Sequence, residues 1–139
     1  MQLLTETQRA ELMKNGANRD ADHKPVVKLF NPLGRQRWLF TELAEDGDSL
    51  FGLADLAFGF PELGYASLSE IAAFRVGFGL RVERDLHFRA KAPLSVYTAA
   101  AQAAWRIVEF GPEFDAALAR HEAVSREADR EAIATQSGS

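Results

Sequence analysis

Apolar and polar positions change their period several times along the chain, and each change predicts an element. Thr5 followed by Gln8, with Leu12 and Met13 behind and Gly16 beyond, has the form of a capping box and a glycine stop. It predicts a helix from about Glu6 to Asn15. Pro25 to Phe30 (PVVKLF) is apolar and β-branched, Asn31-Pro32-Leu33-Gly34 carries turn chemistry, and Gln36 to Glu42 (QRWLFTE) reads as a second strand. That is a hairpin. Glu45-Asp46-Gly47-Asp48 is the next turn. Leu50 to Phe58 is almost wholly apolar and glycine-spaced, as in a central strand buried on both faces.

Gly59 to Tyr65 then interrupts regularity with two glycines and a proline. Ser67 or Ser69 caps a short helix from Glu70 to about Val76, and Arg81 to Arg89 reads as a strand. Ser95 to about Phe110 is an alanine-rich helix stopped by Gly111-Pro112. Glu113 to about Ala134 is a second helix with a thin apolar stripe (Phe114, Ala117, Leu118, His121, Val124), and Thr135 to Ser139 is a frayed end. The expected architecture is a single α+β domain over residues 1–110, with a mostly antiparallel sheet of about four strands and flanking helices. Residues 111–139 form a helical C-terminal extension.

Composition narrows the classes. With 139 residues, 47% hydrophobic and 26% charged, the chain is one foldable domain. No apolar run approaches the roughly 20 residues of a membrane span, and the N-terminus lacks the apolar core of a signal peptide. The absence of cysteine excludes disulfides and thiolate chemistry and fits a cytoplasmic chain. Charge is distributed in blocks: residues 38–74 hold seven acids (Glu42, Glu45, Asp46, Asp48, Asp55, Glu62, Glu70) and no Lys or Arg, whereas residues 1–37 and 75–110 are each net +3. Either the basic flanks fold against the acidic middle, or an acidic surface meets a basic partner.

Three places carry candidate chemistry. On an Arg81–Arg89 strand, Arg81, Glu83, Asp85, His87 and Arg89 share one face. Glu83, Asp85 and His87 then offer acid–base or hard-cation ligands, against the plainer reading of a solvated face of neutralising charges. Asp55 sits among apolar residues and glycine, so it is paired, with an Arg or backbone amides, or functional. Glu62 and Tyr65 project from a glycine-flanked turn unless Phe60 and Tyr65 enter the core. Phosphate-loop, dinucleotide, zinc-protease and nucleophile-elbow motifs are absent, so no cofactor or metal is expected.

The run from Phe51 to Asp55 and on through Gly59-Phe60-Pro61-Glu62-Leu63-Gly64-Tyr65 to Glu70, with Val26–Phe30, Trp38–Leu43, Val82–Phe88 and Lys91–Ser95, resembles a bacterial family known as domain of unknown function 2958. The resemblance spans about residues 1–108. It implies a setting in plasmids and integrative elements, near conjugation and antirestriction genes, and no established reaction. It adds weight to Asp55, Glu62, Tyr65, Glu83, Arg84 and Asp85, and with His87 these are the candidate binding residues.

The leading expectation is a non-enzymatic accessory protein that binds another protein, in the setting of host defence. A small metal-dependent hydrolase using Asp55, Glu62, Glu83, Asp85 and His87 is the alternative. Direct nucleic-acid binding through Arg75, Arg81, Arg84, Arg89 and Lys91 is the third. Convergence of three carboxylate or imidazole groups on one point discriminates the second from the first.

Overall fold

The computed structural model describes residues 2–137. Helix α1 (Glu6–Gly16) opens on the expected box: Thr5 Oγ1 accepts from Gln8 N, and Gln8 Oε1 accepts from Thr5 N, both at 3.0 Å. Its last turn is held to the sheet, Asn15 Nδ2 donating to Thr41 O at 2.9 Å. The hairpin follows as β1 (Val27–Phe30) and β2 (Arg37–Leu43), and β3 (Ser49–Asp55) pairs with β2 across the Glu45–Asp48 turn.

The apolar run therefore ends as a strand at Asp55, three residues short of Phe58. Asp55 Oδ1 accepts from Ala57 N at 2.9 Å, and Ala57 takes φ 70°, so the chain leaves the ladder and Phe58 stands 77% exposed. The segment expected to be an irregular turn is in part a strand, β4 (Glu62–Ser67), paired with β3 and entered through buried Pro61. Helix α2 (Leu68–Ala73) starts on Ser67 but stops early. Arg75–Gly77 (β5) instead pairs with Leu80–Arg81 (β6), a hairpin turned by Phe78 and Gly79 at φ 53° and 74°. Phe78, at its tip, is 96% exposed.

The expected Arg81–Arg89 strand is broken in two, β6 and β7 (Glu83–Arg84), which belong to different sheets. Helix α3 (Leu94–Ala104) is shorter than expected because Trp105 turns left-handed, φ 62°. Helix α4 (Pro112–Ser137) is longer. Of the expected frayed end, Gly138 and Ser139 lie outside the described residues.

The five-stranded sheet runs β4-β3-β2-β1-β7, every neighbour antiparallel. One face carries Val27, Leu29, Trp38, Phe40, Leu43 and Leu50, packed against Leu4, Leu12, Ile71 and Val82. The other carries Leu39 and Leu53, packed against α3 and against Phe114 and Ala117 of α4. Beyond His121 every described side chain of α4 is exposed. A chain ending at Ser125 should therefore melt within about 2 °C of the full one, because surface residues rarely contribute more than about 0.5 kcal/mol. Loss of cooperative unfolding would show that the distal half of α4 is structural.

Candidate functional site

The face expected from alternation at Glu83, Asp85 and His87 does not form. Asp85 N donates to Lys28 O at 2.9 Å, and Asp85 Oδ1 accepts from His87 N at 2.8 Å, so the chain turns after Arg84. Glu83 sits opposite Phe30 and is half-buried, while Arg84 sits opposite Leu29 and donates to Gln2 O and Leu3 O at 3.1 and 3.0 Å. The four residues do share a cleft of about 390 Å³, but Lys28 and Arg37 line it too. Lys28 pairs with Asp85 at 3.6 Å and also with Glu109. Among the described residues no three His, Asp or Glu side chains are placed to hold a metal ion. Asp85→Asn keeps the acceptor for His87 N and loses one partly exposed ion pair. It should shift stability by less than about 1 kcal/mol, with no melting response to Mn²⁺ in either form. A metal-dependent rise in the parent alone would restore the cation reading.

Asp55 is buried, as its surroundings require, and its partners are backbone amides. Oδ1 takes Ala57 N, and Oδ2 takes Ile107 N at 3.2 Å, tying the end of β3 to the α3–α4 connection. This is a structural use of the carboxylate.

Glu62 and Tyr65 lie on β4, the outermost strand on their side of the sheet. Leu68 N donates to Asp48 O at 2.8 Å, which fixes the phase of the β3–β4 ladder. Glu62, Gly64 and Ala66 turn their backbone groups to β3, and Leu63, Tyr65 and Ser67 turn theirs outward, away from the sheet. Leu63 and Tyr65 are 48% and 55% exposed. Around them stand exposed Leu56, Phe58 and Phe60, with Phe60 stacked on exposed Trp105 at 3.7 Å between ring centroids. Ala54 and Ala66, with small side chains, and Gly64, with none, leave room for a cleft of about 430 Å³ along the strand. A second apolar cleft of about 300 Å³, over Trp38 and Ile71, shares Leu56 and Phe58 with it.

Beyond the carboxyl end of β4 the acids are ordered by hydrogen bonds. Asp46 accepts from Ser49 Oγ, Ser49 N and Asp48 N, and Asp48 from Ser67 Oγ and Ser69 N, and these bonds hold both carboxyls below their usual range. Both are ionised at neutral pH.

Glu42 was not distinguishable in the sequence. A bulge between Phe40 and Glu42 resets the alternation of β2, placing Glu42 opposite Phe51 and returning Leu43 to the face of Phe40. The residue is only 8% exposed. Burial pushes its pKa above 4.5, against the opposing pull of His23 and then Arg19. Glu45, Asp46 and Tyr65 also line its cleft. The folded state thus holds this proton more tightly than the unfolded chain does. Ionising Glu42 costs stability, a cost absent below about pH 4 and complete above the raised value. Glu42→Gln should raise Tm at pH 7 and leave it unchanged at pH 4. Equal shifts at both pH values would contradict that origin.

The model of a family described as Protein of unknown function (DUF2958) matches residues 3–108. The match covers the sheet, α1 to α3 and every candidate residue above, and the chain belongs to this family. Neither a curated protein nor a solved structure matches it.

Proposed function

We propose that this member of the family is a protein-binding module that takes an extended, basic and apolar segment of another protein onto β4. One observation carries the reading: β4 is a six-residue edge whose outward backbone groups at Leu63, Tyr65 and Ser67 meet no other strand among the described residues. Natural edges of this length are usually blunted by lysine, proline or a covering element. Here the strand itself holds neither lysine nor proline, and its neighbours are exposed aromatics. An added strand would gain main-chain hydrogen bonds from the edge and side-chain specificity from the flanking clefts.

The charge pattern selects the partner's sign. Glu62, Glu70, Asp46 and Asp48 all come from the stretch without Lys or Arg, so Lys or Arg on the incoming segment meets acids. The mobile-element setting implied by the family resemblance makes a cytoplasmic defence or conjugation protein a natural source of that segment. The nucleic-acid reading has less support. Arg84 donates to Gln2 O and Leu3 O, Arg89 to Phe88 O, and Lys91 to Glu109 O.

Selection of a random dodecamer library on the full chain should enrich sequences alternating apolar residues with Lys or Arg. Leu63→Arg should abolish their capture with Tm preserved. No enrichment, enrichment of acidic sequences, or capture indifferent to Leu63→Arg would contradict the reading.

A further inference from the structure

Glu42, Phe51 and Tyr65 occupy matching register positions on β2, β3 and β4, forming one row across the face of the sheet. In front of that row lies a cleft of about 420 Å³, lined by Gly16, Arg19, Glu42, Ala44, Glu45, Asp46 and Tyr65. Three carboxylates therefore face one guanidinium. More telling is the state of Glu42. It is more than nine-tenths buried, accepts no hydrogen bond, and has no ion pair among the described residues. Among the described residues no fully enclosed side-chain oxygen lacks a hydrogen-bond partner, so the Glu42 carboxylate still reaches solvent, while burial of the rest of the residue thins its hydration and no donor of the chain replaces it. His23 and Arg19 act on it only through space, with neither a hydrogen bond nor an ion pair. Arg19 is drawn aside, donating to the Tyr65 hydroxyl with its guanidinium carbon 5.7 Å from the ring centroid.

The geometry also restricts what completes the site. A bare metal ion needs several converging oxygens, and no such group is placed here among the described residues. Asp46 already accepts three hydrogen bonds from the chain. What remains is one deep carboxylate, one exposed carboxylate at Glu45, an aromatic wall at Tyr65 and the small side chain of Ala44. That combination suits a group with several N–H donors on an apolar stem. We propose that the cleft is a binding site for an organic cation, an alkyl-guanidinium or alkyl-ammonium group whose head donates to Glu42 and whose stem lies along Tyr65. The site rests on Glu42 and stands whether or not β4 accepts a strand.

Titration of the full chain with agmatine at low salt tests it, with N-butylurea as the neutral comparator. Agmatine should bind saturably at one equivalent and N-butylurea should not. Glu42→Gln, which keeps the side chain's shape and should fold at least as well, should weaken binding by about tenfold or more. Arg19→Met should strengthen it, because the resident cation no longer repels the ligand. Leu63→Arg should leave it unchanged, which separates this site from the strand edge. Absence of saturable agmatine binding, equal binding of N-butylurea, or unchanged affinity in Glu42→Gln overturns the proposal. Lys/Arg dodecamers that compete with agmatine would identify the cation as a partner's side chain. Dodecamers that bind alongside agmatine would identify it as a free amine, and either result supports the site.

Discussion

Asp55→Ala should destabilise the fold by about 2–3 kcal/mol, because two backbone amides lose their acceptor together. Ala57 N and Ile107 N both donate to this carboxylate, one closing the turn after β3 and the other fixing the α3–α4 connection 52 residues away. Each stranded amide then depends on whatever water can reach it, and the aspartate's negative charge no longer strengthens either bond. Asp55→Asn keeps one acceptor oxygen and should lose about half as much. Urea denaturation reads both, as a fall in midpoint at unchanged slope. A midpoint unchanged in Asp55→Ala would mean that neither bond matters in solution.

Gly52→Ala should be at least as damaging, and for a purely steric reason. A Cβ at Gly52 would lie 2.0 Å from Leu39 O and 2.8 Å from Phe40 Cα, both backbone atoms of the adjacent strand. No rotamer change relieves that collision, so β2 and β3 must part beside the bulge that positions Glu42. We expect a loss of about 3 kcal/mol or more, near the upper end for overpacking, and a fall in Tm of roughly 10 °C. Gly64, directly across the β3–β4 pair, is the control: its Cβ would meet nothing within 4 Å. Gly64→Ala should be nearly silent, and similar losses at the two positions would contradict the account of Gly52.

Local signals carried much of this fold. The Thr5–Gln8 box, the β1–β2 hairpin and the burial of Asp55 follow from short stretches whose chemistry leaves few choices. Elements decided by distant contacts were less visible. β4 has no alternating burial, because among the described residues no strand pairs with its outer side, and its glycine and the proline before it imitate a loop. The Arg81–Arg89 alternation was misleading because Asp85 captures His87 N within its own chain, a local bond that competes with the ladder. Glu42 was hidden by a bulge that exists only through pairing with β3. Of the candidate residues, Glu62 and Tyr65 share one strand, Glu83, Arg84, Asp85 and His87 share a different cleft, and Asp55 serves the backbone.

The open edge of β4 is the central claim, and amide hydrogen exchange of Leu63 and Tyr65 tests it most directly. Both N–H groups point away from β3, so both should exchange fast in the free protein and become protected when an enriched basic dodecamer is bound. Protection that appears elsewhere while Leu63 and Tyr65 remain fast would contradict strand addition at this edge.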